Sequence, residues 1–239
     1  TELAVEADDL IRARVASQIT MPTDAELKAK HEAHADMLYV PDGAFLMGRL
    51  KQEPMSQDVT RQEKAKDGTV TVVTTGQKKP VASQAEPLHA VVRVPAFFID
   101  RFEFPNRIRN KDDSPVMPAG RGTWSDAASA CEIVGKRLCT AEEWEKACKG
   151  PENTIYSYAD IYDQEKCGDG VDEIHHLGQN EACVSGYGVA DLSGNLREWT
   201  ASQPGTKADR RVVKGGLRSN NLRGSRCAYS NDERQNYSD

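Results

Sequence analysis

No run of apolar residues in this 239-residue chain is long enough to cross a bilayer, since a spanning helix needs about 20 in a row. Nor is there an excess of basic residues. Lys and Arg number 31 against 37 Asp and Glu, a net charge of −6, which argues against a nucleic-acid partner because phosphate binding needs clustered cations. Aromatic residues make up only 6%. Cysteine is missing from the first half altogether, and none of the six in the second half, Cys131, Cys139, Cys148, Cys167, Cys183 and Cys227, forms a C-x-x-C pair. That removes the common zinc and redox motifs. The chain opens at Thr1 without a basic and apolar leader, so it reads as cytosolic or as a form from which a signal peptide has been removed.

What is present points to a loop-rich protein. With 18 Gly, 11 Pro and a mean hydropathy of −0.64, much of the backbone should be irregular. The length suffices for one large domain or two small ones with a buried core. An even cysteine count without metal spacing favours disulfides over buried free thiols. Disulfides in turn imply an oxidising compartment, the periplasm or the cell exterior.

Residues 1–36 show helical periodicity with charge on most faces, which predicts a helical arm outside the core. Its His31 and His34 fall one residue short of the H-E-x-x-H zinc spacing. A core domain, 37–239, begins at "MLYVPDGAFLMG", two short apolar runs about Pro41, Asp42 and Gly43 that read as a hairpin. Residues 50–86 are polar apart from "TVTVVTT" and read as an inserted loop or hairpin. "HAVVRVPAFFIDRFEFPN" then predicts a strand pair broken by Pro95 and Pro105. Two short helices follow. Ser125 is placed to cap the first, with Ala127, Ala130, Cys131 and Val134 on one face and Gly135 at its end. In the second, Thr140 and Glu143 form a capping box, Trp144 and Cys148 share an inward face, and Gly150-Pro151 stops the helix.

"YGVADLSGNLREWT" places Asp191 and Glu198 seven residues apart across a glycine turn. That spacing is too wide for one helical face. Two readings stand on these residues alone: a turn carrying two solvated acids, or an oxygen-only shell for a hard cation such as calcium.

"VPDGAFLMG", "VPAFFIDRFEFPN", "TWSDAASACEIVGKRLCTAEEWEKACKGP", "YGVADLSGNLREWT" and "VVKGGLRSN" with "RCAYS" occur in the order found in the formylglycine-generating enzyme, or sulfatase-modifying factor, family. The resemblance runs from about Met37 to the C-terminus. It implies an α+β domain of few regular elements, similar in fold to C-type lectins, here preceded by the helical arm. It also implies a structural Ca2+ held by the side chains of Asp191 and Glu198 and the main-chain carbonyls of Gly194 and Leu196. A second calcium loop of the family has no convincing match in "KCGDGVDEIHHLGQNEAC".

The family's oxidases bind copper(I) through a cysteine pair soon after a glycine turn. Here Asn220 stands at the first of those positions, Leu217 replaces a serine, and no thiol occurs between Gly216 and Cys227. A single thiolate cannot supply two-sulfur copper coordination. Arg197 replaces a tryptophan that walls the family's active site. By this resemblance the chain is a non-catalytic binding or assembly protein, periplasmic, outer-membrane-associated or secreted, with a protein or peptide partner. A lipid anchor upstream of Thr1 is left open. Arg197, Arg218, Ser219, Asn220, Asn221 and Arg223 form its expected ligand-binding surface, with Arg226 in the same polar run; an ordinary solvated loop is the other reading. The alternative function is a metal-dependent oxidoreductase with altered chemistry. The resemblance pairs Cys148 with Cys227, while proximity in sequence pairs Cys167 with Cys183. Cys131 and Cys139 are then left over, and a terminal strand common in relatives is not found before Asp239.

Overall fold

A computed structural model describes residues 2–50, 59–64, 70–75, 87–168, 174–216 and 224–238. Two helices form the arm, α1 (Glu2–Ala16) and α2 (Asp24–Ala33), the second opened by a Thr23–Glu26 capping box. The strands β1 (Met37–Val40) and β2 (Gly43–Met47) come next, then β3 (Val59–Lys64), β4 (Val70–Thr75), β5 (Ala90–Val94) and β6 (Phe97–Asp100). Helices α3 (Trp124–Ile133) and α4 (Ala141–Lys149) precede the last strands, β7 (Arg197–Trp199), β8 (Arg210–Gly215) and β9 (Asn231–Arg234). Long irregular stretches join them, as the Gly and Pro content predicts.

The expected β1–β2 hairpin is not formed. Instead β1 pairs antiparallel with β6 and β2 with β5, so the expected β5–β6 pair is also replaced by two nested pairs. The physical reason lies in α4. Lys146 Nζ donates to the carbonyls of Pro41, Gly43 and Val94, which ties the β1–β2 corner to the end of β5 rather than closing it on itself. The polar stretch does contain a hairpin, β3 with β4, in the register Val59↔Thr75 to Lys64↔Val70. β7, β8 and β9 form an antiparallel three-stranded sheet.

The main core gathers Val40, Phe45, Val94, Phe97, Ile99, Trp144, Ala147, Cys148, Tyr187, Val189, Leu192 and Cys227. A second cluster corrects the arm's exclusion from the core: Val15 of α1 is buried with Ala44, Leu46 and Leu50, and Ile11 packs against them. Arg12 of α1 also pairs with Asp160. His34 packs against Phe98, with ring centroids 4.0 Å apart and the planes tilted by 42°.

The cap of α3 is Thr123, not Ser125. The Thr123 hydroxyl accepts from the Asp126 amide and the Asp126 carboxylate accepts from the Thr123 amide, a reciprocal box that Ser125, two residues further in and followed three positions later by Ala128, cannot build. No residue of α3 is fully buried, and Cys131 is half-buried. α4 carries the Thr140–Glu143 box and ends at Gly150 with φ +63°. It is buried on every side. Glu145 accepts from Lys149 at 3.1 Å and Lys214 at 2.9 Å, and also from the Gly48 amide at 2.6 Å. Charged side chains can be interior here because each meets opposite charge or carbonyls.

Candidate functional site: a buried carboxylate turn beside the glycine pair

The Tyr187–Thr200 stretch folds as a turn between the main core and β7. Asp191 and Asn195 occupy left-handed backbone, φ +59° and +56°, which Asp and Asn tolerate better than most residues. Asp191 is 1% exposed, and its amide donates to Cys183 O at 2.9 Å. Cys183 is in turn bonded to Cys167, sixteen residues away. On the far side of the turn Glu198, in β7, accepts from Trp144 Nε1 at 3.1 Å.

These two carboxylates are not solvated acids. Burial raises Asp191 to about 6, although Asn180 donates to it. Burial, with the Asp191 charge adding to it against the Trp144 hydrogen bond, raises Glu198 to about 7. Asp191 Oδ2 is buried and has no hydrogen-bond partner. An orphaned carboxylate oxygen in the interior costs free energy unless a proton or a cation meets it. Among the described residues, no three His, Cys, Asp or Glu side chains are close enough together to hold a metal ion. A cation here would therefore draw on main-chain oxygens too, as calcium does.

The glycine turn after β8 packs directly on this stretch. A Cβ on Gly216 would fall 3.0 Å from both Cα and C of Gly194, and one on Gly215, itself at φ +85°, would fall 2.9 Å from Leu196 O. Only glycine permits that approach. Beyond it, Cys227 is bonded to Cys148 of α4, with Cα atoms 5.6 Å apart. Cys131 and Cys139 are free thiols. Burial pushes both up, helped at Cys139 by the charges of Glu143 and Glu198 and at Cys131 by Asp100.

Of the expected ligand-binding residues, Arg218, Ser219, Asn220, Asn221 and Arg223 lie outside the described residues. Arg197 lies within them, 3.3 Å from Glu233 of β9 and over the Tyr237 ring at 5.8 Å. Arg226 does not belong to an exposed recognition run. It is 7% exposed, and burial with Arg49 nearby lowers it to about 10. Sequence reasoning missed Glu103, which is 9% exposed and reaches this turn from the end of β6. Its only signal was an acid set between two aromatics in "RFEFPN".

The model of the sulfatase-modifying factor enzyme 1-like domain matches residues 22–238. The chain belongs to that family. The match takes in α2 as well as the domain from Met37 onward. The inactive C-alpha-formylglycine-generating enzyme 2 of Bos taurus is 34% identical over 122 residues, 45% of this chain and 40% of that protein. The formylglycine-generating enzyme of Thermomonospora curvata is 28% identical over 137 residues, 44% of this chain and 45% of that one. The chain thus spans less than half the length of these curated relatives. The solved structure of Treponema denticola variable protein 1 aligns with a TM-score of 0.56 at 13% identity, over 85% of this chain and 91% of that one. That likeness is one of fold, the mixed α+β fold of formylglycine-generating-type domains.

Proposed function

We propose that this chain is a non-catalytic binding or assembly module on the sulfatase-modifying-factor scaffold, working outside the reducing cytosol and steadied by a calcium ion. One observation carries the non-catalytic part: Cys227, the sole cysteine after the glycine turn, is bonded to Cys148. No thiol pair remains there for copper(I), which needs soft thiolate ligands. The two free cysteines lie elsewhere, on α3 and just before α4, and their raised pKa values disfavour the thiolate that a metal requires. The name of the inactive bovine relative agrees with this reading.

The calcium part rests on the buried Asp191 oxygen and the turn that Asp191, Gly194, Leu196 and Glu198 share. The location rests on the two disulfides, which persist in the periplasm or outside the cell. Among the described residues no helix is long and apolar enough to span a membrane. The recognition residues are the polar run 218–223 together with Arg197, and their partner is a protein or peptide.

The test is a sulfatase-type cysteine peptide incubated with the chain, copper(I) and oxygen, read by mass spectrometry. No formylglycine above the protein-free control is expected. Turnover above that control would establish the oxidoreductase reading instead.

A further inference from the structure

The segment between β6 and α3 folds as a small ladder of its own. The Ala119 amide donates to Phe104 O at 2.8 Å, the Val116 amide to Ile108 O at 3.3 Å and the Asn110 amide to Ser114 O at 2.9 Å, with Arg109 bridged to Pro115. Those bonds bring Phe104, Ile108 and Met117 to one stretch of surface. The ladder is braced from behind by residues 176–178. The Leu177 amide donates to Val116 O at 2.9 Å, Met117 Sδ lies 2.8 Å from His176 Nδ1, and a Cβ on Gly178 would fall 2.9 Å from Ile108 Cγ2. Even so, Phe104, Ile108 and Met117 are 38%, 45% and 43% exposed. Exposed apolar side chains scattered singly are ordinary, whereas several gathered on one braced surface mark a site of contact.

The same segment is cationic. Arg101, Arg107, Arg109, Lys111 and Arg121 are all exposed. Its acids do not balance them, because Glu103 is buried and only Asp112 and Asp113 reach solvent. Of the five cations, only Arg109 forms an ion pair among the described residues, with Asp113 at 4.0 Å. A chain of net charge −6 thus sets cations about an apolar face, the pattern of a contact core with a polar rim. This face adjoins the recognition residues, since a Cβ on Gly120 would lie 3.8 Å from Leu196 Cδ1 and Leu196 precedes Arg197.

Resting on the reading of this chain as a binding module, we propose that the 101–121 face docks a peptide segment of a partner protein, apolar at its centre and flanked by Asp or Glu. Charge complementarity selects the acidic flanks. Four of the five cations are arginine, whose planar guanidinium meets a carboxylate in bidentate fashion. The tip of the ladder favours a narrow partner over a bilayer. It carries Asp112 and Asp113 against Lys111 alone, so an anionic membrane meets net negative charge there, and a peptide narrow enough to lie beside Ile108 and Met117 avoids it.

The probe is a fluorescent synthetic peptide with a Phe-Leu-Leu centre and Asp-Glu flanks, titrated with the purified oxidised chain and read by anisotropy. Saturable binding that weakens about tenfold as salt is raised is expected. A peptide with Lys flanks and one with a Ser-Ser-Ser centre should each bind at least about tenfold more weakly. The double variant Arg107→Glu with Arg121→Glu changes two exposed side chains that make no ion pair among the described residues. It should keep the wild-type melting temperature and lose about tenfold in affinity for the acid-flanked peptide. Should it not fold, Met117→Gln, which keeps the length of the side chain and makes its end polar, replaces it with a similar loss expected. No saturable binding, equal binding of either control peptide, or wild-type affinity in the folded variant overturns the proposal. Preference for vesicles of phosphatidylserine and phosphatidylcholine over the peptide overturns it in favour of a membrane. The formylglycine assay on the same preparation keeps the two readings apart: turnover there overturns the binding-module reading, whereas absent peptide binding without turnover overturns this surface alone.

Discussion

Asp191 is the residue where sequence and structure bear most directly on each other. Its buried carboxylate sits in left-handed backbone with one oxygen unpartnered, a costly arrangement for a side chain whose only task is to end a turn. A ligand bound to the native state alone stabilises it, by about 3 kcal/mol at a hundredfold excess over the dissociation constant. Chelation should therefore lower the melting temperature of the calcium-loaded protein by several degrees. Asp191→Ala should abolish that sensitivity. Equal melting temperatures with and without chelator in calcium-containing buffer would mean that no such site exists. Arg226 teaches the opposite lesson at the same scale. An arginine in a polar run looks like recognition chemistry, and folding buries it instead.

Helix α4 is the element around which the sheets are arranged. Its Trp144 and Cys148 enter the main core, while Lys146, on another side, takes up the carbonyls of Pro41, Gly43 and Val94. Lys146→Met would fill much the same volume and leave those three acceptors unmet. With roughly 1–3 kcal/mol for a buried polar group left unsatisfied, and partial relaxation of the β1–β2 corner, the substitution should cost about 2–4 kcal/mol in urea unfolding. A loss below about 0.5 kcal/mol, the usual range of surface changes, would show that the lysine does not hold the corner. The helical period also explains why this role was hidden. Amphipathic spacing marks the apolar face of a helix, whereas pairing lets charged faces become interior as well.

For the whole molecule the Cys148–Cys227 bond matters most, because it closes 79 residues of a loop-rich chain and ties α4 to the segment after the glycine turn. In the chain-entropy picture a loop of that size contributes roughly 3 to 5 kcal/mol. The double variant Cys148→Ala with Cys227→Ala should lose about that much, measured by urea unfolding under oxidising conditions. A non-reduced peptide map of the native protein should join Cys148 to Cys227 and Cys167 to Cys183. A peptide joining Cys148 to another cysteine would defeat the pairing. Six freely reacting thiols would also defeat the extracytoplasmic assignment.

Local chemistry was legible in the chain itself. The Thr140–Glu143 box, the Gly150 stop and the two apolar runs of β5 and β6 depend on residues a few positions apart, so their signals survive in one dimension. The family followed from blocks in a set order, and with it the fold and the Cys148–Cys227 pair, while the Cys167–Cys183 pair followed from proximity in sequence. Strand partners were not legible, because β1 and β2 meet β6 and β5 across about fifty residues, and the corner between them is held by a lysine on a helix beyond them all. The cap of α3 moved to Thr123 because two hydroxyl residues two positions apart compete for one role, and it is Thr123 that has an acid three residues on to complete the box. Glu103 lies 92 residues from Asn195 in sequence, a separation that no motif spans. Tertiary structure alone brings that third acid to the turn, since charge in a buried site is set by what folds against it and not by its neighbours in the chain.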